Sequence, residues 1–257
     1  NTPQVKFMNL RGDQSPGASR AQKALRVLKY YVQLLRYVAT SRPKVFHILW
    51  HNKFEFLDRI LLLRFYKLLG KRVVFTAHNV NARKRDGHDT WANQYSLQTQ
   101  YRLFDHIFVH SERMKTELAA EFSVPAAKIS VIPFGINNTL PNTSLTPAEA
   151  RVRLNIAAGE KVLLFFGNIA PYKGLHDLIE AFQSLCQKAT NYRLVIAGRP
   201  KDCAEYWRGI QATIARSGCA DRISLFVEFI PDERVEVFFK AADVLMLPYN
   251  HVFQSGV

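Results

Sequence analysis

The sequence predicts an α/β protein made of two doubly wound parallel-sheet domains. Short apolar runs rich in β-branched residues alternate with amphipathic stretches along most of the 257 residues. One stretch rich in Pro, Asn and Thr, Pro133 to Pro147, interrupts this alternation, and no fixed-period repeat is present. Alternating strands and helices are typical of parallel sheets with helices on both faces, so the interruption separates two Rossmann-like blocks.

The first block opens with a predicted amphipathic helix, Ser19 to Thr40. Four apolar residues share one helical face: Leu25, Leu28, Val32 and Leu35. Four cations lie on the other: Lys23, Arg26, Lys29 and Arg36. We expect the apolar side to cover a sheet, because that is the usual role of such a helix. Contact of the basic side with anionic lipid is a secondary expectation.

The remaining elements follow in alternating order. The predicted strands are Val45–Trp50, Val73–Ala77, Ile107–His110, Lys128–Ile132, Val162–Phe166, Arg193–Ala197, Ile223–Phe226 and Val244–Leu247. Helices are predicted between them, including Glu55–Leu69, Trp91–Phe104 and one that Ser111 caps and that runs to about Phe122. We therefore predict a first domain over 1–136 and a second over 137–257. Because the chain lacks an initiating Met and stops abruptly at Gly256-Val257, we expect both domains to be incomplete.

Charge is distributed unevenly along the chain. Residues 1–136 contain 22 Lys and Arg against nine Asp and Glu, whereas residues 137–257 contain 13 against 12. Nearly all of the net charge of +14 therefore lies in the first half. One explanation is an anionic partner of that half, such as a membrane surface, a phosphorylated acceptor or nucleic acid. The other is a solvated basic surface that only aids solubility.

Composition excludes several classes of protein. A span of the bilayer needs about 20 consecutive apolar residues, and no stretch of the sequence approaches that length. The polar first residues do not form the apolar core of a signal peptide. Cys186, Cys203 and Cys219 are odd in number and lack CxxC spacing, so we expect ordinary thiols in a reducing cytoplasm. No group of His, Cys, Asp or Glu has the spacing of metal ligands.

The most informative segment joins a buried strand to a helix in the second block. Val162–Phe166 is an apolar run, Gly167 ends it, and Lys173-Gly174 precede a helical pattern from Leu175 to Phe182. A lysine at a strand-to-helix turn suits a phosphate, because free backbone N–H groups and the helix dipole already favour an anion there. The Walker and GxGxxG signatures are both absent. The segment alone also fits a buried strand followed by a surface lysine.

Histidines mark the carboxyl ends of strands in the first block, where open α/β sheets bind ligands. His78 directly follows Val73–Ala77 and is the first candidate; a turn histidine bonded to nearby backbone is the alternative. His47 alternates with buried positions, so we expect a satisfied core histidine there. Asn79 is a further candidate beside His78.

A cluster of three cations, Arg83, Lys84 and Arg85, follows closely in the same loop. Such a cluster can hold a phosphate, for example that of a lipid-linked diphosphate. A solvated loop rich in Lys and Arg is equally compatible with the sequence.

Several segments occur in the order found in one family. They are VIPFGI at Val131–Ile136, FFGNIAPYKGLHDLIEAF at Phe165–Phe182, LVIAG at Leu194–Gly198 and FIPDERVEVFFKAADVLMLPY at Phe229–Tyr249. The chain, from about Val45 to Val257, resembles the glycogen-synthase-like retaining glycosyltransferases (glycosyltransferase family 4), whose donor loop usually reads GRxxxxKGxxxLIxAF. The resemblance implies the GT-B fold, in which two Rossmann-like domains face a cleft.

The resemblance also implies roles for individual residues. His78 and Lys173 would be catalytic, His78 contacting the transferred sugar and Lys173 neutralising the donor diphosphate. The donor side would comprise Gly167, Asn168, Lys173, Gly174, Arg199, Phe229, Ile230, Gln254, Ser255 and Gly256. Phe229-Ile230 would cup the nucleotide base largely through backbone, and the amides of Ser255 and Gly256 would meet phosphate. Asn168 stands where the family usually has an arginine, and Gln254 stands near the position of a usual glutamate.

The implied function is transfer of a sugar from a nucleotide-diphosphate donor to a saccharide or lipid-linked acceptor, with retention and without a metal or other cofactor. We expect this fragment to be inactive alone, and the full protein to act in polysaccharide or glycolipid assembly, in the cytoplasm or at the inner face of the membrane. One alternative is a glycosyltransferase-like protein that binds nucleotide or a partner without catalysis. A basic nucleic-acid-binding protein is disfavoured, because an RNA-binding signature and zinc-finger spacing are absent.

Overall fold

The computed structural model describes residues 7–12, 15, 17–52, 54–135, 138–201 and 203–250. The chain forms two compact units. The first contains Asn1–His78, Trp91–Val109 and Lys115–Val131. The second contains Asn79–Thr90, His110–Met114 and Ile132–Val257, so two loops from the first half of the sequence belong to it.

A four-stranded parallel sheet lies in the first unit. Its strands follow the order of the sequence: β1 (Val45–Ile48), β2 (Arg72–Thr76), β3 (His106–Val109) and β4 (Ile129–Val131). The helical segments in this part of the chain are α1 (Arg20–Thr40), α2 (Glu55–Leu57), a π-helical turn (Asp58–Leu62), α3 (Leu63–Leu68), α4 (Ala82–Arg85), α5 (Trp91–Leu103) and α6 (Glu112–Phe122). The π-helical turn runs directly from α2 into α3, where the sequence predicts one helix.

The second unit holds another parallel sheet, with the strand order β7-β6-β5-β8. Its strands are β5 (Lys161–Phe166), β6 (Tyr192–Ala197), β7 (Ile223–Phe226) and β8 (Val244–Leu245). The α-helices in this part of the chain are α7 (Pro147–Arg153), α8 (Leu175–Cys186), α9 (Ala204–Ala215) and α10 (Asp232–Ala241). The reversal of order beside β5 places the loop after β5 at a topological switch point, the usual ligand position in such sheets.

Apolar side chains cover both faces of the second sheet. On one face, Leu164 and Val195 pack with Phe238 of α10. On the other, Phe165 and Ile196 pack with residues of α8 and α9. Burial of each such side chain stabilises the fold by about 1.5–3 kcal/mol. Helices on both faces of a parallel sheet confirm the predicted α/β class.

The predicted orientation of α1 is wrong. Its limits agree with the prediction, because Ser19 caps it and forms a capping box with Gln22. The stripe of Leu25, Leu28, Val32 and Leu35 is nevertheless between 37% and 66% exposed. No helix among the residues that the structure describes has both the length and the apolar character to cross a bilayer.

Contacts of the aromatic side of α1 explain this orientation. The hydroxyl of Tyr31 donates to the Asp58 carboxylate at 2.8 Å. Tyr37 packs edge to face on Phe46 of β1, and Val38 is fully buried. Since aromatic side chains bury more surface than leucines, the tyrosine side turns inward and the leucine stripe stays outside.

Candidate functional site

Loops at the carboxyl ends of β5 and β6 run side by side in the second unit. The N–H of Ile169 donates to the carbonyl of Arg199 at 2.9 Å, and the N–H of Lys201 donates back to Ile169 at 3.1 Å. A Cβ on Gly198 would overlap the carbonyl oxygen of Gly167, and both glycines have positive φ. This close approach requires glycine at Gly198 and fixes the start of both loops.

The loop after β8 packs against the turn that carries Lys173. Pro171–Lys173 form a single 3₁₀ turn, and Gly174 follows in a left-handed conformation (φ +66°). A Cβ on Gly174 would collide with the carbonyl oxygen of Pro248. The N–H of Asn250 also donates to the carbonyl of Tyr172 at 3.0 Å. The turn therefore has its position fixed by backbone contacts with a neighbouring strand's loop.

Lys173 itself is buried, with 7% of its surface exposed. Its ammonium lies 5.1 Å from the ring centroid of Tyr249, within reach of a cation–π contact. None of the ion pairs among the described residues involves this ammonium. A cation at a turn that directly precedes a helix suits an anionic ligand, as the sequence predicts.

Other predicted donor-side residues occupy the same edge of this sheet. Asn168 and Arg199 are exposed, and the guanidinium of Arg199 lies 5.4 Å from the ring centroid of Phe229. Phe229 is 64% exposed, whereas the side chain of Ile230 belongs to the apolar core. Ile230 can therefore meet a ligand only through its backbone. Gln254, Ser255 and Gly256 lie outside the described residues.

His78 lies just beyond β2 in the first unit and is half-buried. Its imidazole stacks on the indole of Trp50, with ring centroids 4.1 Å apart and planes 6° apart. His47 corrects an expectation: it hydrogen-bonds the Thr76 hydroxyl at 2.8 Å, but it is exposed instead of lying in the core. The alternation along β1 turns its side chain to the more open side of the sheet.

The three cations after His78 lie on the short helix α4. Arg85 pairs with Asp86 at 2.7 and 2.9 Å, and its guanidinium lies 4.0 Å from the ring centroid of Tyr172 within the second unit. Burial disfavours the charge of Arg85, but the bond to Asp86 outweighs this effect and raises the pKa of Arg85. Arg85 also donates to the side chain of Asn79 at 3.4 Å. Arg83 and Lys84 remain exposed to solvent.

Sequence reasoning missed four residues of these sites: Trp50, Tyr172, Gly198 and Tyr249. Trp50 ends a predicted strand. Because ligands bind at the carboxyl ends of strands, the reasoning that selected His78 could also have selected Trp50. The other three depend on contacts between separate loops, which no local pattern reveals. Among the described residues, no group of three or more His, Cys, Asp or Glu side chains is arranged to hold a metal ion.

Comparisons with known proteins agree with this architecture. The Glycosyltransferase Family 4 model matches residues 4–140, more than half of the chain, and the Glycosyl transferases group 1 model matches residues 148–252. The D-inositol 3-phosphate glycosyltransferase of Segniliparus rotundus is 28% identical over 189 residues, which cover 70% of this chain and 41% of that protein. The chain thus spans about two-fifths of the length of this curated relative.

Two solved structures share the fold. The crystal structure of Anabaena HepE in complex with UDP has a TM-score of 0.69 at 16% identity, covering 89% of this chain and 59% of that one. Sucrose-phosphate synthase from Thermosynechococcus elongatus has a TM-score of 0.67 at 19% identity, covering 90% and 57%. Both likenesses are to the arrangement of sheets and helices described above.

Proposed function

Because the chain belongs to glycosyltransferase family 4, we propose that the full protein transfers a sugar from a nucleotide-diphosphate donor to a hydroxyl of a saccharide or lipid-linked acceptor, with retention at the sugar carbon. The name of the Segniliparus relative, a sugar-transferring enzyme, and the UDP bound to Anabaena HepE support this class of donor and reaction. The metal-free course of the reaction and its stereochemistry are proposed from the family resemblance.

The single observation behind this proposal is the fixed position of Lys173, a residue only 7% exposed, on the turn between β5 and α8. When the bond between sugar and phosphate breaks, negative charge grows on the leaving nucleotide, and a fixed cation stabilises it. Lys173 is suited to this role because its turn is held by Gly174 against Pro248 and its charge has no carboxylate partner among the described residues. The dipole of α8 adds positive potential at the same turn.

The remaining groups receive supporting roles. The backbone around Gly167 and exposed Asn168 would border the diphosphate, and Arg199 with Phe229 would border the nucleotide. His78 would contact the transferred sugar, with Asn79 beside it. Arg83 and Lys84 would meet an anionic acceptor, since both side chains are exposed to solvent.

We place the protein in the cytoplasm, at the inner face of the membrane, in the assembly of a polysaccharide or glycolipid. The net charge of +13 on residues 1–136 supports contact with an anionic surface. Stable contact with a membrane also needs apolar side chains that insert into the lipid, and the exposed apolar stripe of α1 provides them.

Titration of the full-length protein with UDP, GDP and ADP tests the donor site. We expect one of these nucleotides to bind to the wild-type protein. Lys173→Ala and Lys173→Met should each weaken the affinity for that nucleotide by roughly 10- to 100-fold, the range for a lost charge-assisted hydrogen bond. Lys173→Met keeps the apolar stem and so guards against simple misfolding. Lys161→Ala is the matched control, because Lys161 is exposed at the opposite end of β5. Equal affinities of wild type and both Lys173 variants would refute the role of Lys173.

A further inference from the structure

The stack of Trp50 on His78 links the ends of two neighbouring strands. β1 and β2 are parallel, with Ile48 paired to Phe75, and each ring follows its own strand by two residues. The planes are 6° apart at 4.1 Å, so one face of the imidazole is covered by indole. Trp50 is nevertheless 70% exposed. Because so little of Trp50 is buried, its side chain contributes little to the stability of the core. Its stacked position therefore needs another explanation.

A buried carboxylate holds the loop that carries Trp50. The N–H of Asn52 donates to Asp58 at 2.6 Å, and Asp58 is only 2% exposed. The hydroxyl of Tyr31 donates to the other oxygen of the same carboxylate at 2.8 Å. Asp58 also begins the π-helical turn Asp58–Leu62, a local irregularity that often accompanies functional sites. The loop is thus fixed two residues from the indole.

We propose that Trp50 is a positioning residue for His78. The terminal torsion of a histidine has a broad energy profile, so an imidazole at the end of a strand can take many ring orientations. A parallel stack restricts it to one plane and covers one of its faces, so that a ligand would meet the ring at its edge. Stacking of two aromatic rings also contributes a favourable energy of its own. The assignment rests on the proposed role of His78 beside the transferred sugar.

The structural part of the proposal can be tested without turnover. In the full-length protein, the ring protons of His78 should show ring-current shifts in NMR spectra, assigned with the His78→Ala variant. These shifts should vanish in Trp50→Ala and be largely kept in Trp50→Phe, which retains a flat ring. Trp91→Ala is the matched control, because Trp91 is 80% exposed and stacks on Tyr95. His78 signals that are identical in wild type and Trp50→Ala would overturn the proposal.

The functional part is read from kinetics with the nucleotide sugar whose nucleotide binds in the titration described above. We expect Trp50→Ala to lower kcat by roughly 10- to 100-fold, as misplaced catalytic groups do, with KM for the donor unchanged. Trp50→Phe should restore most of the rate, and Trp50→Ala should cost nothing further in a His78→Ala background. An unchanged kcat in Trp50→Ala would refute positioning while the transferase function stands. Absence of nucleotide binding in the wild type would instead refute the proposed function, and the NMR result would still decide the role of Trp50.

Discussion

Gly174 combines two demands at the turn beside Lys173. Its φ of +66° lies in the left-handed region, and its missing side chain leaves room for the carbonyl oxygen of Pro248. The side chain of Asn250 lies 3.1 Å from the same position. Any larger residue must displace backbone of the loop after β8, because the obstacle is a carbonyl and not a flexible side-chain end. Gly174 therefore links the conformation of the Lys173 turn to that loop.

Gly174→Ala tests this link at the residue scale. We expect a loss of about 2–4 kcal/mol in the free energy of unfolding, from left-handed strain plus displacement of Pro248. Gly218→Ala is the control, since Gly218 has φ +68° and nothing lies within 4 Å of the position that its Cβ would take. That variant should lose only about 1–2 kcal/mol, the strain alone. Urea unfolding measures both, and equal losses would contradict the proposed contact.

The sequence predicted the candidate site unevenly at this scale. Lys173 was predictable because a strand, a glycine and a helical pattern surround it in one continuous segment. Its burial and the nearby Tyr249 were not, since Tyr249 follows a different strand and meets Lys173 only after the sheet forms. Likewise, the sequence did not predict that Arg85 pairs with Asp86 and lies over the ring of Tyr172. These contacts make Arg85 less exposed than the other two cations of the same segment.

At the scale of elements, the strands were predicted more closely than the orientation of α1. Buried strands such as β5 and β6 are recognisable because both faces are covered, which leaves an uninterrupted apolar run. Helix α1 has apolar residues around much of its circumference, including three tyrosines and the leucine stripe. Periodicity alone cannot say which of two apolar sides packs inward. Partners such as Asp58 and Phe46 decide it.

The exposed stripe of α1 gives a prediction about membranes. The helix has five Lys and Arg and no acidic residue, so its charge complements an anionic lipid surface. We expect the full-length protein to bind vesicles of phosphatidylcholine with phosphatidylglycerol, less so as salt rises. Replacing Leu25 and Leu28 together by Gln should weaken binding by about 30-fold or more, because each of these exposed side chains would contribute about 1–2 kcal/mol on insertion. Vesicle sedimentation measures this.

The matched control for the vesicle experiment is Val152→Gln on α7, a substitution of another apolar side chain that is 73% exposed. It should leave vesicle binding unchanged. Binding of equal strength to pure phosphatidylcholine, or no binding to either kind of vesicle, would contradict the assignment of α1 to an anionic surface. In that event another part of the protein or a partner is the better candidate to cover the stripe.

At the scale of the whole molecule, two parallel sheets follow from the alternation that the sequence displays. The family assignment was also predictable, because several short motifs occur in a fixed order although none is decisive alone. Which segments of the chain belong to each compact unit was harder to predict. Asn79–Thr90 and His110–Met114 precede the predicted boundary yet belong to the second unit. Such loops are assigned by tertiary contacts, which sequence order does not encode.

A mostly buried ion pair should make the stability of the second unit sensitive to acid. In the second unit, Glu160 accepts a hydrogen bond from Arg193 at 2.8 Å, and both side chains are mostly buried. This bond lowers the pKa of Glu160 below its ordinary 4.5. The folded state therefore binds fewer protons than the unfolded state, so the pair stabilises fully above about pH 4.5 and loses its effect as pH falls through the lowered pKa.

Glu160→Gln should accordingly destabilise the second unit by about 1 kcal/mol at pH 7, and by much less at about pH 3. Denaturant-dependent hydrogen exchange reads this separately in the two units, on peptides from β5 and β6 and on peptides from β2 and β3. Glu180→Gln serves as the control, because Glu180 lies on the exposed side of α8 and its loss removes a carboxylate without breaking an ion pair of the described residues. A Glu160→Gln effect of the same size at both pH values would show that packing, and not the charge of Glu160, accounts for the loss.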